Sequence, residues 1–264
     1  MRIKQSACYP MLKPVDMPAD IFISKVAQIG YCAIGLWGRD EHLPEMVTLA
    51  RRHNLIVSIM SGHDSLTVGL NDPDQHNRIE QELRASIDLA AQYDIPGLIC
   101  FSGNRSPGVT DEEAMTYTVQ GLSRIAPYAE AKGINLNLEL LNSKVDHPGY
   151  QSDSSAWGLA VVKKVNSPNV KLLFDIYHMQ IMEGDIIRTI QDNMDWIGHF
   201  HTAGVPGRYD LDDMQELNYR GICRAIAETE YPYYVEHEFR PKGEVIAALQ
   251  NAFDICDQEP DLSF

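Results

Sequence analysis

Residues 110–142 read TDEEAMTYTVQGLSRIAPYAEAKGINLNLELLN, and this stretch decides the architecture. Thr110 with Glu113 three residues on fits a capping box, in which each side chain satisfies the other residue's backbone N–H. Lys132-Gly133 fits a helix end, because glycine takes the left-handed backbone of a closing turn without a steric cost. Only Ile134 then precedes a strand-like run, Asn135-Leu-Asn-Leu-Glu139-Leu-Leu-Asn142, and beyond it the chain stays polar through residue 153. The unit is a helix, a terse turn, a strand and a long polar loop.

Outward from there the unit recurs. Short β-branched or apolar runs fall at about residues 2–8, 32–37, 55–61, 97–102, 135–141, 170–177, 197–202 and 233–239. Amphipathic stretches follow, for example 74–93, Asp111–Lys132, 154–165 and 244–256. Connections from helix to strand are terse, as in Asp94-Ile95-Pro96. Those from strand to helix, at 62–73, 103–110, 142–153 and 203–218, are long and polar. Alternating strand and helix implies parallel strands joined by helical crossovers. Eight units in 264 residues, about 33 each, predict an α/β fold, a single-domain (β/α)8 TIM barrel spanning residues 1–264. The long loops then open at the carboxyl ends of the strands, where such barrels build active sites. A doubly wound open sheet is the rival, and it lacks the G-x-G-x-x-G expected after its first strand.

Composition narrows the functions. With 37 acidic against 22 basic side chains the formal charge is −15, which argues against a protein that grips nucleic-acid phosphates. A small-molecule substrate remains open, because a local arginine can outweigh the global field. No run of eighteen apolar residues and no apolar signal core after Met1-Arg2-Ile3 appear, so no membrane partner and no secretion are expected. Five scattered cysteines without a C-x-x-C pair suit small buried hydrophobes in a reducing cytoplasm.

The last four strands end on ionisable groups: Glu139, Asp175, His201 and Glu238. Side chains alternate between the two faces of a strand, so inward-pointing copies of these four converge at the barrel mouth. Three carboxylates and an imidazole brought together repel unless something neutralises them. One divalent metal ion does so, and an O,O,N,O set without sulfur suits Mn²⁺, Mg²⁺ or Co²⁺. For any one residue alone, a salt bridge at a strand end is the plainer reading. Two residues deeper lie His199 and Glu236, expected to face each other and brace the ligands; the alternative leaves Glu236 facing solvent among the helices.

Leu138-Glu139-Leu-Leu-Asn142, Asp175-Ile-Tyr-His178-Met-Gln-Ile-Met-Glu183-Gly184, Gly198-His199-Phe-His201 and Gln215-Glu216-Leu-Asn218-Tyr219 resemble the hydroxypyruvate isomerase branch of the xylose isomerase-like (AP endonuclease 2 type) TIM-barrel sugar isomerases and epimerases. The resemblance implies that Glu139, Asp175, His201 and Glu238 hold a divalent metal, and that Glu139 and Glu238 also move protons. It further implies an isomerase interconverting hydroxypyruvate and tartronate semialdehyde, or a similar small hydroxy-oxo acid, through an enediolate. Strand seven departs from the pattern: that branch usually has Gln where His201 stands, and His is similar to the ketose 3-epimerases. Those epimerases generally carry a glutamate six residues after the first, where this chain has Val145. Epimerisation of free ketoses is therefore the alternative activity.

Four more residues are candidates for the substrate. His63 matches a family histidine and could donate to an oxyanion, or bond only loop backbone. His178, three residues past Asp175, is expected at a substrate hydroxyl, with a capping role as the alternative. Arg208 could take a substrate carboxylate or hydroxyl, and Trp37 could wall a short carbon chain, against a packed-core role. His147 and Asn104-Arg105 share that face with less reason. Cys8 reaches the mouth without a partner that suggests a nucleophile. The fold is shared by an abasic-site endonuclease, but the acidity and sparse ligands disfavour that reading, and a non-catalytic sugar-binding barrel is a further alternative. Relatives of this fold imply a homo-oligomer, a dimer or tetramer.

Overall fold

A computed structural model describes residues 3–260. The strands are β1 (Lys4–Cys8), β2 (Ala33–Gly35), β3 (Ile56–Ser61), β4 (Gly97–Cys100), β5 (Asn135–Glu139), β6 (Val170–Asp175), β7 (Ile197–Thr202) and β8 (Tyr234–His237). They follow one another in chain order as a closed barrel, the α/β fold expected from the alternation. The helices are α1 (Tyr9–Leu12), α2 (Ala19–Ile29), α3 (Leu43–Arg52), α4 (His76–Tyr93), α5 (Asp111–Lys132), α6 (Ser155–Val165), α7 (Ile176–Met182), α8 (Ile186–Asn193), α9 (Tyr219–Glu228) and α10 (Val245–Cys256).

The residues gather into two compact units. Among the described residues the first comprises 3–58, 185–194 and 199–260 and carries β1, β2, β8 and most of β7. Here Ser6 of β1 stands opposite Ala33 of β2 and Glu236 of β8, and His201 of β7 opposite Glu236. Helix α10 packs on α2 and α9, burying Phe22, Ile23, Val26, Leu249 and Ala252. The second unit, residues 59–184 and 195–198, carries β4, β5, β6 and the second half of β3. Its strands pair in parallel, with Leu98 opposite Leu136 and Glu139 opposite Leu173. Helices α4, α5 and α6 pack in sequence order, and Ile59, Ile99 and Leu173 form a buried cluster with Phe101 against it.

Local signals set the element ends. Helix α5 keeps the expected bounds: Thr110 and Glu113 form both arms of the capping box, and Gly133 closes it at φ +68°. The strand expected over 170–177 is corrected. It stops at Asp175, whose side chain accepts from the His178 backbone N–H and starts α7 at Ile176. That cap overrides the β-leaning Ile176-Tyr177, since Asp satisfies an otherwise orphaned helix donor. His178 thus stands on a helical turn. Strand β8 likewise ends at His237, and Glu238 follows it. The start of the first expected strand, at residue 2, lies outside the described residues. All five cysteines are free thiols, and no helix among the described residues is long and apolar enough to cross a membrane.

Candidate functional site

In the first unit, strand alternation puts His199 and His201 of β7 on the same side as Glu236 and Glu238. All four are buried, at no more than 4% exposure. Glu238 meets four side chains from elsewhere in the chain. His201 Nδ1 lies 3.0 Å from Oε2, and the Arg208 guanidinium pairs with the same oxygen. Trp37 Nε1–H donates to Oε1 at 3.1 Å, and the Cys8 thiol reaches it at 3.8 Å. Burial, followed by the charges of Glu238 and Glu236, pushes the Cys8 thiol well up, so it stays protonated and is no nucleophile. Arg208 sits in the loop after β7 at φ +60°, its carbonyl accepting from Arg240 N–H at 2.7 Å. Trp37 is 45% exposed and so is no core residue.

Beneath this lies a second layer. Glu236 Oε2 accepts from Ser6 Oγ at 2.9 Å and Ser58 Oγ at 3.2 Å, and stands 3.6 Å from His199 Nε2. Its other oxygen is 3.8 Å from His201 Nε2. Glu236 and His199 therefore face each other inside, as expected, and the solvent-facing alternative is excluded by a 1% exposure. Burial by itself raises the Glu236 carboxyl, but His199 and His201 outweigh it and leave it below its ordinary value. Burial lowers His199 against the pull of Glu236.

In the second unit, Glu139 closes β5 and Asp175 closes β6, both buried. Asp175 Oδ1 accepts from His178 N–H at 3.1 Å, and its Oδ2 is 3.6 Å from His178 Nε2. His178 is fully buried, its Nδ1 2.6 Å from Asn142 Nδ2. His63 differs from the expectation of a substrate donor. Its Nε2 accepts from Phe101 N–H at 2.9 Å and its Nδ1 bonds Asp64 O at 3.0 Å, so loop backbone engages both ring nitrogens. Arg105 is held by Asp153 at 3.0 Å and Asp111 at 3.5 Å. His147 stacks obliquely 5.3 Å from the His178 ring, and Val145 is exposed.

Sequence reading missed Ser6, Ser58 and Gly35 as parts of this site. Two serines, Ser6 on β1 and Ser58 on β3, both buried, were the available signal. Gly35 is needed because a Cβ there would sit 2.0 Å from Glu236 Oε2. Asn142 was legible only inside a motif, with no hint of what it bonds.

The Xylose isomerase-like TIM barrel family matches residues 23–256, and the chain belongs to that family. The 2-oxo-tetronate isomerase of Cupriavidus necator is 34% identical over 131 residues, 50% of each chain. The hydroxypyruvate isomerase of Escherichia coli K12 is 29% identical over 175 residues, 65% of this chain and 67% of that one. The matched stretches thus span half to two thirds of these curated relatives. Among solved structures, an AP endonuclease of family 2 from Brucella melitensis superposes with a TM-score of 0.82 over 97% of this chain and 100% of the other, at 23% identity. That likeness is one of fold.

Proposed function

We propose that this member of the xylose isomerase-like family is a divalent-metal-dependent isomerase of small hydroxy-oxo acids, hydroxypyruvate and 2-oxo-tetronate foremost. The observation that carries the reading is one buried ionisable side chain at the carboxyl end of each of four consecutive strands, β5 to β8. Among the described residues two sets of buried side chains come into question as ligands: His199, His201 and Glu236, which lie together in the first unit, and Glu139, Asp175, His201 and Glu238, the strand-end set of this reading. The first is already spent in part, because Glu236 accepts from two serines. The second combines three hard carboxylates with one imidazole and no sulfur, which fits Mn²⁺, Mg²⁺ or Co²⁺. Buried carboxylates are costly without a compensating charge, and a cation supplies it.

Isomerisation removes a proton from the carbon beside a carbonyl and returns one to its neighbour. When bound, the metal would supply Lewis-acid stabilisation of the negative charge on the enediolate oxygens. Of Glu139 and Glu238, one takes a proton from carbon and the other, entering the turnover protonated, gives one to the former carbonyl carbon. The substrate hydroxyl proton passes to the former carbonyl oxygen, and exchange with water resets the pair. Arg208, paired with Glu238 in the free protein, is the anchor for a substrate carboxylate, since its planar fork matches that group. Transfer of the guanidinium to substrate takes its positive charge off Glu238 Oε2 and makes that oxygen the stronger base. Trp37 places an apolar ring beside the same carboxylate while its N–H holds Oε1. The relatives named for hydroxypyruvate and 2-oxo-tetronate support an acid as substrate.

Proton exchange followed by NMR in D₂O with Mn²⁺, over a panel of oxo-acids and free ketohexoses, tests the reading. Exchange beside the carbonyl of the oxo-acids is expected, and Glu139→Gln should lower it by about 10²–10⁴-fold with the fold intact. Exchange with ketohexoses alone would replace this reading by 3-epimerisation.

A further inference from the structure

Asn142 is bonded on every side, and that settles where a neighbouring imidazole carries its proton. The side-chain oxygen Oδ1 accepts from the backbone N–H groups of Val145 at 3.0 Å and Asp146 at 2.9 Å. Two donors aimed at one atom require oxygen there, which fixes the amide's orientation. The nitrogen Nδ2 then faces Asp146 Oδ2 at 2.7 Å and His178 Nδ1 at 2.6 Å, one hydrogen for each. Tyr177 OH donates to the same Asp146 oxygen at 2.8 Å and holds that carboxylate in place. A donor pointing at Nδ1 demands a lone pair on it, so the neutral ring carries its proton on Nε2. That nitrogen lies 3.6 Å from Asp175 Oδ2, while Oδ1 is held by His178 N–H.

We propose that Asn142 is a positioning residue that locks His178 in the Nε2–H tautomer, so that His178 serves the site as a hydrogen-bond donor beside Asp175 and not as a base. The role rests on the isomerase reading above, in which Asp175 is a ligand of the cation, and on the position of His178 directly beside that carboxylate. A purely structural role is the competing account, because Oδ1 also ties the loop after β5. The two accounts part at Asn142→Asp. Aspartate keeps the oxygen that ties Val145 and Asp146, but it can only accept from the ring, so the imidazole proton is drawn to Nδ1.

The test uses the full chain labelled with ¹⁵N in its histidine rings. His178 is assigned by its loss in His178→Gln, and protonation of each nitrogen is read from long-range ¹H–¹⁵N correlations at pH 7 without substrate. Wild type is expected to show an unprotonated Nδ1 and a protonated Nε2. Asp146→Asn, which leaves the Asn142 donor in place, should match it. Asn142→Asp should show a protonated Nδ1 and lose about 10–100-fold in isomerisation, the usual cost of disturbing a residue that orients a ligand. If that single variant does not fold, Asn142→Asp with Asp146→Asn keeps the net charge and must show the same reversal. A protonated Nδ1 in wild type, an unchanged ring in the aspartate variants, or full turnover with the tautomer reversed would each overturn the proposal. Because the ring is read without substrate, a wild type inactive on every oxo-acid sinks the reaction and leaves the tautomer result standing.

Discussion

Gly35→Ala is the sharpest probe of the buried layer under the site. Gly35 lies on β2 opposite Cys8. An added Cβ would fall 2.0 Å from Glu236 Oε2, 2.1 Å from Oε1 and 2.3 Å from the carboxyl carbon, so the carboxylate must move. It has little freedom to do so, since Ser6 and Ser58 donate to Oε2 and His199 stands beside it. Overpacking a core costs about 1–3 kcal/mol, and losing one hydrogen bond to a charged group about 1.5–3 more. Together these predict a loss of roughly 2.5–6 kcal/mol, a fall in melting temperature of about 5–11 °C for a chain of this size. Thermal unfolding followed by circular dichroism measures it. Gly243→Ala is the control: its Cβ meets nothing within 4 Å, and its effect should stay within about 0.5 kcal/mol. Combining Gly35→Ala with Glu236→Ala should cost less than the sum of the two, because the second change removes the group the first strikes. A Gly35→Ala protein melting within about 2 °C of wild type would refute the packing argument.

Alkaline pH should weaken the fold in a defined window. Burial pushes the Cys100 thiol up from 9.0 to about 12. Between those values the unfolded chain sheds a proton that the folded chain keeps, so stability present below pH 9 is lost as pH rises, at up to about 1.4 kcal/mol per pH unit for one such group. Cys100→Ala should flatten that slope in urea titrations at pH 8–11, and an unaltered slope would count against it. Iodoacetamide at pH 8 should leave folded Cys8 unmodified, and rapid labelling detected by mass spectrometry would contradict a protonated, buried thiol. Arg208→Lys should raise KM for oxo-acids by about tenfold, because an ammonium cannot match a carboxylate bidentately; equal KM values would remove Arg208 as the anchor.

Much of the protein is legible in its sequence. The alternation of units, the bounds of α5, the cap at Thr110 and the turn at Gly133 are written in neighbouring residues, because helix hydrogen bonds and caps join groups only a few positions apart. So are the polar groups at the ends of β5 to β8, since a strand's two faces alternate residue by residue. The end of β6 was misread because a single Asp175 side chain, bonding forward to His178, outweighs two residues that favour strand. Sequence leaves His63 two readings, an oxyanion donor by its match to a family histidine or a partner of loop backbone, and Phe101 N–H, 38 positions on, decides for the second by occupying Nε2. Ser6, Ser58 and Glu236 stand 52 to 230 positions apart in the chain and meet at one carboxylate. Period and propensity specify which way a side chain leaves its own strand. Which atoms it then finds, and which nitrogen of an imidazole keeps the proton, is decided only when the strands are laid side by side, because those contacts are made by parts of the chain that carry no record of one another.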